Sequence, residues 1–239
     1  MKHIVDIHSH ILPDVDDGCK SHAESVKMLD LYMGQHVEAI ICTPHYGVCG
    51  IPGVDIEDAY CLLIRKAADR GITLYLGNEI LFDRFTLLHV RRGLARTLCN
   101  SEYILVEFDP WGAGASADYI FNCMSWLAQS EYKPILAHAE RYPALQVNED
   151  IYHKLVRAGV KLQINAYDIY NNPDEREQKV TRRLLMKHLV SFIGSDTHGE
   201  RRPPILLDGV SWIYDNCRED YADAVVHDNA AKLILGETK

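Results

Sequence analysis

The sequence predicts an α/β protein: seven strand–helix units with parallel strands closed into one barrel, an open sheet wound on both sides being the alternative. Three observations carry this expectation. Short β-branched runs alternate with stretches in which apolar residues recur every three or four positions. Most of the runs are apolar on both faces, as strands covered on both sides must be. No linker composition, internal repeat or low-complexity segment breaks the alternation, so residues 1–239 read as one domain.

The units follow in order. Run 3–8 (HIVDIH) precedes a helical pattern on Val26, Leu29, Met33 and Val37, which leads into run 37–43 (VEAIICT). Gly71 falls where a helix must stop before run 72–77 (ITLYLG). Run 103–108 (YILVEF) is followed by the pattern Tyr119/Ile120, Cys123/Met124 and Leu127, then by run 134–138 (PILAH). Gly159 stops another helix before run 160–165 (VKLQIN), and Val180, Leu184 and Met186/His188 mark the helix before run 189–194 (LVSFIG). Loops 44–54 and 109–117, rich in Gly and Pro, are expected to be irregular.

An apolar fraction of 47% suits a substantial core and excludes disorder, while a net charge of −9 gives no general attraction to nucleic acid or anionic lipid. An anionic substrate would therefore need a local positive site. Cysteines 19, 42, 49, 61, 99, 123 and 217 are odd in number and form no CxxC. With Met1-Lys2-His3 leading directly into a strand-like run, they predict free thiols in a reducing cytoplasm. No apolar run reaches the roughly 20 residues that span a bilayer.

In a parallel barrel the chemistry sits at the C-terminal strand ends, and those ends carry metal-type ligands in series. His8 and His10 lie two apart, on one side of an extended strand, with Asp16-Asp17-Gly18 in the next loop. Then come His45, Glu79, Glu107, His138, and Asp196 with His198; only the sixth strand, ending in Asn165, breaks the series. Any one of these alone is more often a cap or a satisfied polar residue. Their joint occurrence points to two or three divalent ions, because up to nine ligands exceed the needs of one. Mixed imidazole and carboxylate donors suit Zn²⁺, Mn²⁺ or Fe, and such a centre activates water and clamps phosphoryl oxygens.

Arg141 and Arg202, beside two ligand strands, are the expected phosphate grips, and Arg201 is expected to be a surface charge. Tyr46 and Trp111 either stack on an aromatic substrate or pack. His22, His36, His89, His153, His188 and His227 read as surface or helix-end residues, and His3 as lying at the opposite barrel face. No Cys is followed six positions later by Arg, and GxSxG and GxxxxGK are missing.

The segments Asp6-Ile7-His8-Ser9-His10-Ile11-Leu12-Pro13, Val15-Asp16-Asp17-Gly18, Thr43-Pro44-His45 and Gly77-Asn78-Glu79-Ile80 resemble the polymerase-and-histidinol-phosphatase (PHP) superfamily, and within it the bacterial capsule-type tyrosine phosphatases. The likeness continues through Val106-Glu107-Phe108, Ala137-His138-Ala139-Glu140-Arg141-Tyr142, Ser195-Asp196-Thr197-His198, Arg202-Pro203-Pro204 and Asp228-Asn229-Ala230, where Ala230 replaces a more usual Pro. The resemblance implies a distorted TIM-like (β/α)7 barrel with a trinuclear site, usually active with manganese. It places His8, His10, Glu79 and Asp196 around one metal. Glu79, Glu107 and His138 would hold a second, and Asp17, His45 and His198 a third, with Asp16 an alternative to Asp17. Arg141 and Arg202 would bind phosphate, with His45 joining them in catalysis.

The expected activity is metal-dependent hydrolysis of phosphotyrosine in proteins. The partner implied by resemblance is an autophosphorylating tyrosine kinase controlling polysaccharide export; no nucleic acid or membrane insertion is expected, and an oligomer is compatible. The alternatives are a small-molecule phosphatase such as one for histidinol phosphate, a non-catalytic metal-binding regulatory module, and a phosphodiesterase or exonuclease that the acidic balance disfavours.

Overall fold

The computed structural model describes residues 1–47, 55–109 and 115–236. Its strands are β1 (Ile4–Ser9), β2 (Val37–Cys42), β3 (His45–Tyr46), β4 (Thr73–Leu76), β5 (Glu79–Leu81), β6 (Tyr103–Glu107), β7 (Lys133–Leu136), β8 (Lys161–Asn165) and β9 (Phe192–Gly194). The helices are α1 (His22–Met33), α2 (Ile56–Ala68), α3 (Thr86–Arg91), α4 (Ala117–Ala128), α5 (Pro143–Gln146), α6 (Asp150–Arg157), α7 (Ala166–Tyr170), α8 (Glu175–Met186), α9 (Leu207–Asn216), α10 (Glu219–Asp223) and α11 (Asn229–Leu235). Among the described residues no helix is long and apolar enough to cross a membrane.

Every strand pair is parallel, in two arcs ordered β1-β2-β4 and β3-β5-β6-β7-β8-β9. The arcs join because two expected strands are each broken in two. Run 37–43 divides into β2 and β3 at Thr43-Pro44, where proline offers no N–H to the ladder. Run 72–77 ends at Gly77, and the chain turns at Asn78 before β5 begins. Side chains bridge the breaks: Thr43 Oγ1 accepts from the Ser9 N–H at 3.0 Å, and Asn78 Nδ2 donates to the Pro44 carbonyl at 2.8 Å. The circle closes where the Asp196 N–H donates to the His8 carbonyl (2.8 Å) and the His10 N–H to the Thr197 carbonyl (3.1 Å). The result is a distorted seven-position barrel, as expected.

Two apolar layers follow from strand alternation. Val5, Ile7, Ala39, Ile41, Leu105, Ile135, Ala137 and Phe192 fill the lower interior with Leu98, Ala230 and Leu233. Ile4, Ile40, Leu74, Ile104, Val106, Leu136, Leu162 and Ile164 face outward onto the helices. Ile120, Met124 and Leu127 of α4 pack as expected, and Gly71 and Gly159 both take positive φ at helix ends. The buried face of α1 differs from the expected one. It is Ser25, Met28, Leu29 and Tyr32, while Met33 is half exposed and Val37 already belongs to β2. Val180 and Leu184 of α8 are buried with Thr181 and Leu185, whereas Met186 is exposed.

At the seam, the pairing of β1 with β2 shifts register between Asp6 and Ser9. Ile7 joins the interior cluster while His8 joins the polar site above it. Two consecutive side chains thus enter the barrel, as a bulge allows. Asp6 supports this irregularity: its carboxylate accepts the His8 N–H (3.0 Å), the Ser195 N–H (2.9 Å) and the Tyr32 hydroxyl (2.7 Å). Burial holds its pKa above the usual value despite these donors.

Gly77 lets the broken strand lie against the interior, because a Cβ there would meet Leu98 Cδ2 at 2.5 Å and Leu98 Cα at 3.2 Å. Gly77→Val is expected to lower the midpoint of chemical denaturation by an amount equivalent to about 1–3 kcal/mol through overpacking.

Candidate metal centre

All nine expected ligands stand at the C-terminal end of the barrel. His8 and His10 leave β1, His45 opens β3, Glu79 opens β5, Glu107 ends β6, His138 follows β7, and Asp196 and His198 follow β9. His138 (φ 31°) and Asp196 (φ 52°) adopt left-handed backbone that non-glycine residues rarely take, strain typical of a functional turn. The donor atoms fall into three groups: His10, Asp17, His45 and His198; His8, His10 and Asp196; and His45, Glu79 and Glu107. These clusters are consistent with a multi-metal site of the His/Asp/Glu type.

Glu79 is the hub and is fully buried. Its Oε1 lies 3.2 Å from His8 Nε2 and 3.0 Å from His138 Nε2, and its Oε2 lies 3.2 Å from His10 Nε2 and 3.1 Å from His45 Nδ1. Glu107 approaches His45 Nδ1 at 3.1 Å and His138 Nε2 at 3.7 Å. Asp17 Oδ1 sits 3.2 Å from His198 Nε2 and 3.4 Å from His45 Nε2. His45 therefore stands between two groups, closer to Glu79 and Glu107 than the third-metal grouping suggests.

The loop after β1 separates Asp16 from Asp17. Asp16 Oδ2 accepts from His10 Nδ1 at 2.7 Å and from the His45 N–H at 3.0 Å, behind the cluster, while the Asp17 carboxylate enters it. Gly18 is required in this loop, since a Cβ would lie 2.1 Å from the His10 carbonyl oxygen.

Do these residues suit metal ions? With its proton on Nδ1 toward Asp16, His10 turns an Nε2 lone pair inward. His8, whose Nδ1 faces the Gln163 carbonyl oxygen at 3.1 Å, does the same. The two Nε2 atoms are 3.2 Å apart and both face carboxylate oxygens. Positive charge between them, carried by protons on the imidazoles or by divalent ions in their place, satisfies the converging groups. Buried His138 Nδ1 also lacks a hydrogen-bond partner among the described residues.

Electrostatics agree. Burial would raise Glu79, but the imidazoles hold it well below the usual carboxylate range. Hydrogen bonds from His198 and His45 hold Asp17 low, and Asp196 stays low against burial because Arg202, His8 and Arg141 surround it. Burial works against charging His10 and His138, yet Asp16 raises the first to about 9, and Glu107 with Glu79 raises the second to about 10. His45 is likewise raised against burial by Asp17, Glu107 and Glu79, whereas burial and His10 lower His198. The carboxylates demand positive charge, which divalent ions supply.

Both arginines converge on Asp196. Arg141 Nη1 and Arg202 Nη1 each lie 3.0 Å from its Oδ2, and Arg141 Nε also donates to buried Asp168 at 2.9 Å. Arg201 is exposed, as the surface reading expects, and its Nη2 donates to the Asp17 carbonyl at 2.7 Å, which braces that loop. Tyr46 packs edge-on against His89 (centroids 5.6 Å) within the helix-facing layer, which favours packing. Trp111 lies outside the described residues. Cys19 and Cys42 are buried, and burial pushes Cys19 up to about 12, so neither supplies a thiolate. Sequence reasoning missed Asp6, Gln163 and Asp168, whose partners come from distant segments; Asn165 appeared only as the break in the ligand series.

The model of the family described as capsular polysaccharide synthesis, CpsB/CapC, matches residues 4–235. The tyrosine-protein phosphatase CpsB of Streptococcus pneumoniae is 30% identical over 98% of this chain and 99% of its own length. The tyrosine-protein phosphatase YwqE of Bacillus subtilis is 28% identical over 98% and 93%. A chain from the crystal structures of YwqE and CpsB, described as metal-dependent tyrosine phosphatases, matches with a TM-score of 0.82 at 24% identity, covering 98% of this chain and 96% of that one. The histidinol phosphate phosphatase of Lactococcus lactis, solved with zinc, L-histidinol and phosphate, shares the fold at a TM-score of 0.62 and 14% identity, over 90% and 94%. Site and fold thus meet in a match running through nearly every described element, and the chain belongs to the CpsB/CapC family.

Proposed function

We propose that the protein is a metal-dependent tyrosine-protein phosphatase of the CpsB/CapC/YwqE type, hydrolysing phosphotyrosine in a partner protein. The observation that carries this reading is the convergence of imidazole lone pairs and carboxylates beneath two arginines at one barrel end. His8, His10, Glu79 and Asp196 would hold one ion, Glu79, Glu107 and His138 a second, and Asp17, His45 and His198 a third. Manganese is the favoured ion, with iron or zinc chemically adequate. When bound, the ions supply water acidity near neutral pH and neutralise charge on phosphoryl oxygens.

The chain's own residues do the rest. Arg141, oriented by Asp168 and Asp196, presents its fork to phosphate oxygens, and Arg202 approaches from the other side of the same carboxylate. Both stabilise the charge that grows on the equatorial oxygens. The phenolate of tyrosine, with a pKa of about 10, leaves with little proton donation. No covalent enzyme intermediate is needed. The Asp17 side chain is 43% exposed, which suits a tyrosine presented on a protein segment rather than a fully enclosed metabolite. The substrate class that fits is the tyrosine-rich tail of an autophosphorylating kinase of polysaccharide export, met in the cytoplasm, with the barrel acting as one catalytic domain.

Phosphate release from a phosphotyrosine peptide should require Mn²⁺ and stop with chelator. Release from histidinol phosphate alone would move the protein to small-molecule chemistry, and release from neither would favour the regulatory module. Arg141→Ala should lower kcat/KM on the peptide by about 10²-fold, in the range of losing one transition-state donor, when rates are compared at equal bound metal measured by elemental analysis.

A further inference from the structure

Strand β8 ends without a metal-type ligand, yet Gln163 and Asn165 are fully buried polar side chains of that strand. Their outward neighbours Leu162 and Ile164 show that the strand otherwise packs apolar residues. Two buried amides are costly unless their hydrogen bonds are used.

They are used, in one direction. The Gln163 side-chain carbonyl accepts the His138 N–H at 2.8 Å, which orients the amide. That same oxygen faces His8 Nδ1 at 3.1 Å, so Nδ1 carries a proton, and in the neutral ring Nε2 is the atom with the lone pair. At its other end, Gln163 Nε2 donates to Asn165 Oδ1 at 2.9 Å, and Asn165 Nδ2 donates to Asp196 Oδ2 at 3.1 Å. Asp196 Oδ2 also receives both arginines, leaving Oδ1 to face His8 and His10 at 3.6 Å and His198 at 3.5 Å. The backbone makes room for this chain at Gly194, where a Cβ would lie 2.6 Å from His8 Cβ and 3.0 Å from Gln163 Nε2.

We propose that Gln163 and Asn165 form a directional amide relay that holds His8 with Nε2, and Asp196 with Oδ1, turned toward the metal cluster. The relay rests on the metal-site reading above and deepens it. Both are positioning residues: they act through His8 and Asp196.

The test is equilibrium binding of Mn²⁺ alone, by elemental analysis after dialysis, to the parent and to Gln163→Met, Asn165→Leu and Gln163→Glu. Gln163→Met and Asn165→Leu conserve approximate volume and should weaken Mn²⁺ binding about tenfold or more, as loss of an orienting partner does. Gln163→Glu keeps the acceptor for His8 and the His138 N–H but loses the donor to Asn165 Oδ1, so it should bind Mn²⁺ more weakly than the parent yet more tightly than Gln163→Met. In Zn²⁺-loaded protein, the His8 Nδ1 proton should exchange slowly with solvent in the parent and fast in Gln163→Met, by NMR. A merely structural role would lower thermal stability without moving either readout. If Gln163→Met does not fold, Asn165→Leu and Gln163→Glu carry the test. Parental Mn²⁺ affinity and stoichiometry in folded Asn165→Leu and Gln163→Met would overturn the relay. A parent that binds no Mn²⁺ would overturn the metal reading itself.

Discussion

The interaction on which the site depends is the buried Glu79 carboxylate facing four imidazoles. A carboxylate removed from water is tolerated only where positive charge and hydrogen bonds replace the lost solvation. His8, His10, His45 and His138 provide that environment from four different places in the chain. The broken strands make it possible. Because β3 pairs with β5 in register His45↔Glu79, a ligand from each enters the site at the same level. Asn78 secures the break by donating to Pro44 and accepting from the Arg96 N–H. An unbroken ladder would continue the pleat and alter which residue faces inward.

Around this hub the polar groups divide by task. Asp16 and Gln163 turn imidazoles, Asp168 turns Arg141, and Asp196 meets both sets, with one oxygen toward the histidines and the other toward the arginines. A single carboxylate thereby places the phosphate-binding groups relative to the ligand cluster. This gives the proposed phosphatase a geometric link between the two halves of its chemistry.

Much of this was legible in the sequence because barrels place chemistry at strand ends and strand periodicity is short. The His8/His10 pair and the late Asp196/His198 pair needed only alternation and order. Strands β3 and β5, of two and three residues, are too short for a periodic signal; Pro44 reads as the start of a loop, and Gly77 as the end of an unbroken strand. Spacing could not choose between Asp16 and Asp17, because the choice is made by which carboxylate reaches His10 Nδ1. The bulge at Ile7–His8 was hidden for a similar reason: Asp6 needs Tyr32 and Ser195 to support it, and adjacency in space is not written in local pattern. On α1 the pattern favoured Met33, but Tyr32 wins the buried position because its hydroxyl has polar partners in Asp6, Ser9 and Ser195.

The Asp6 carboxylate reaches a backbone group 189 residues away in sequence when it accepts the Ser195 N–H. The first strand is therefore given its working shape by the end of the last one, β9. During synthesis His8 and His10 emerge early, but the brace that aims His8 and the partner carboxylate of Asp196 arrive only after the seventh barrel position has docked. Long-range closure of this kind is slow relative to local helix formation. A nascent chain would hold two exposed imidazoles without the geometry of the finished cluster, so the capacity for ordered metal capture emerges with ring closure and serves as a chemical signature of a completed fold.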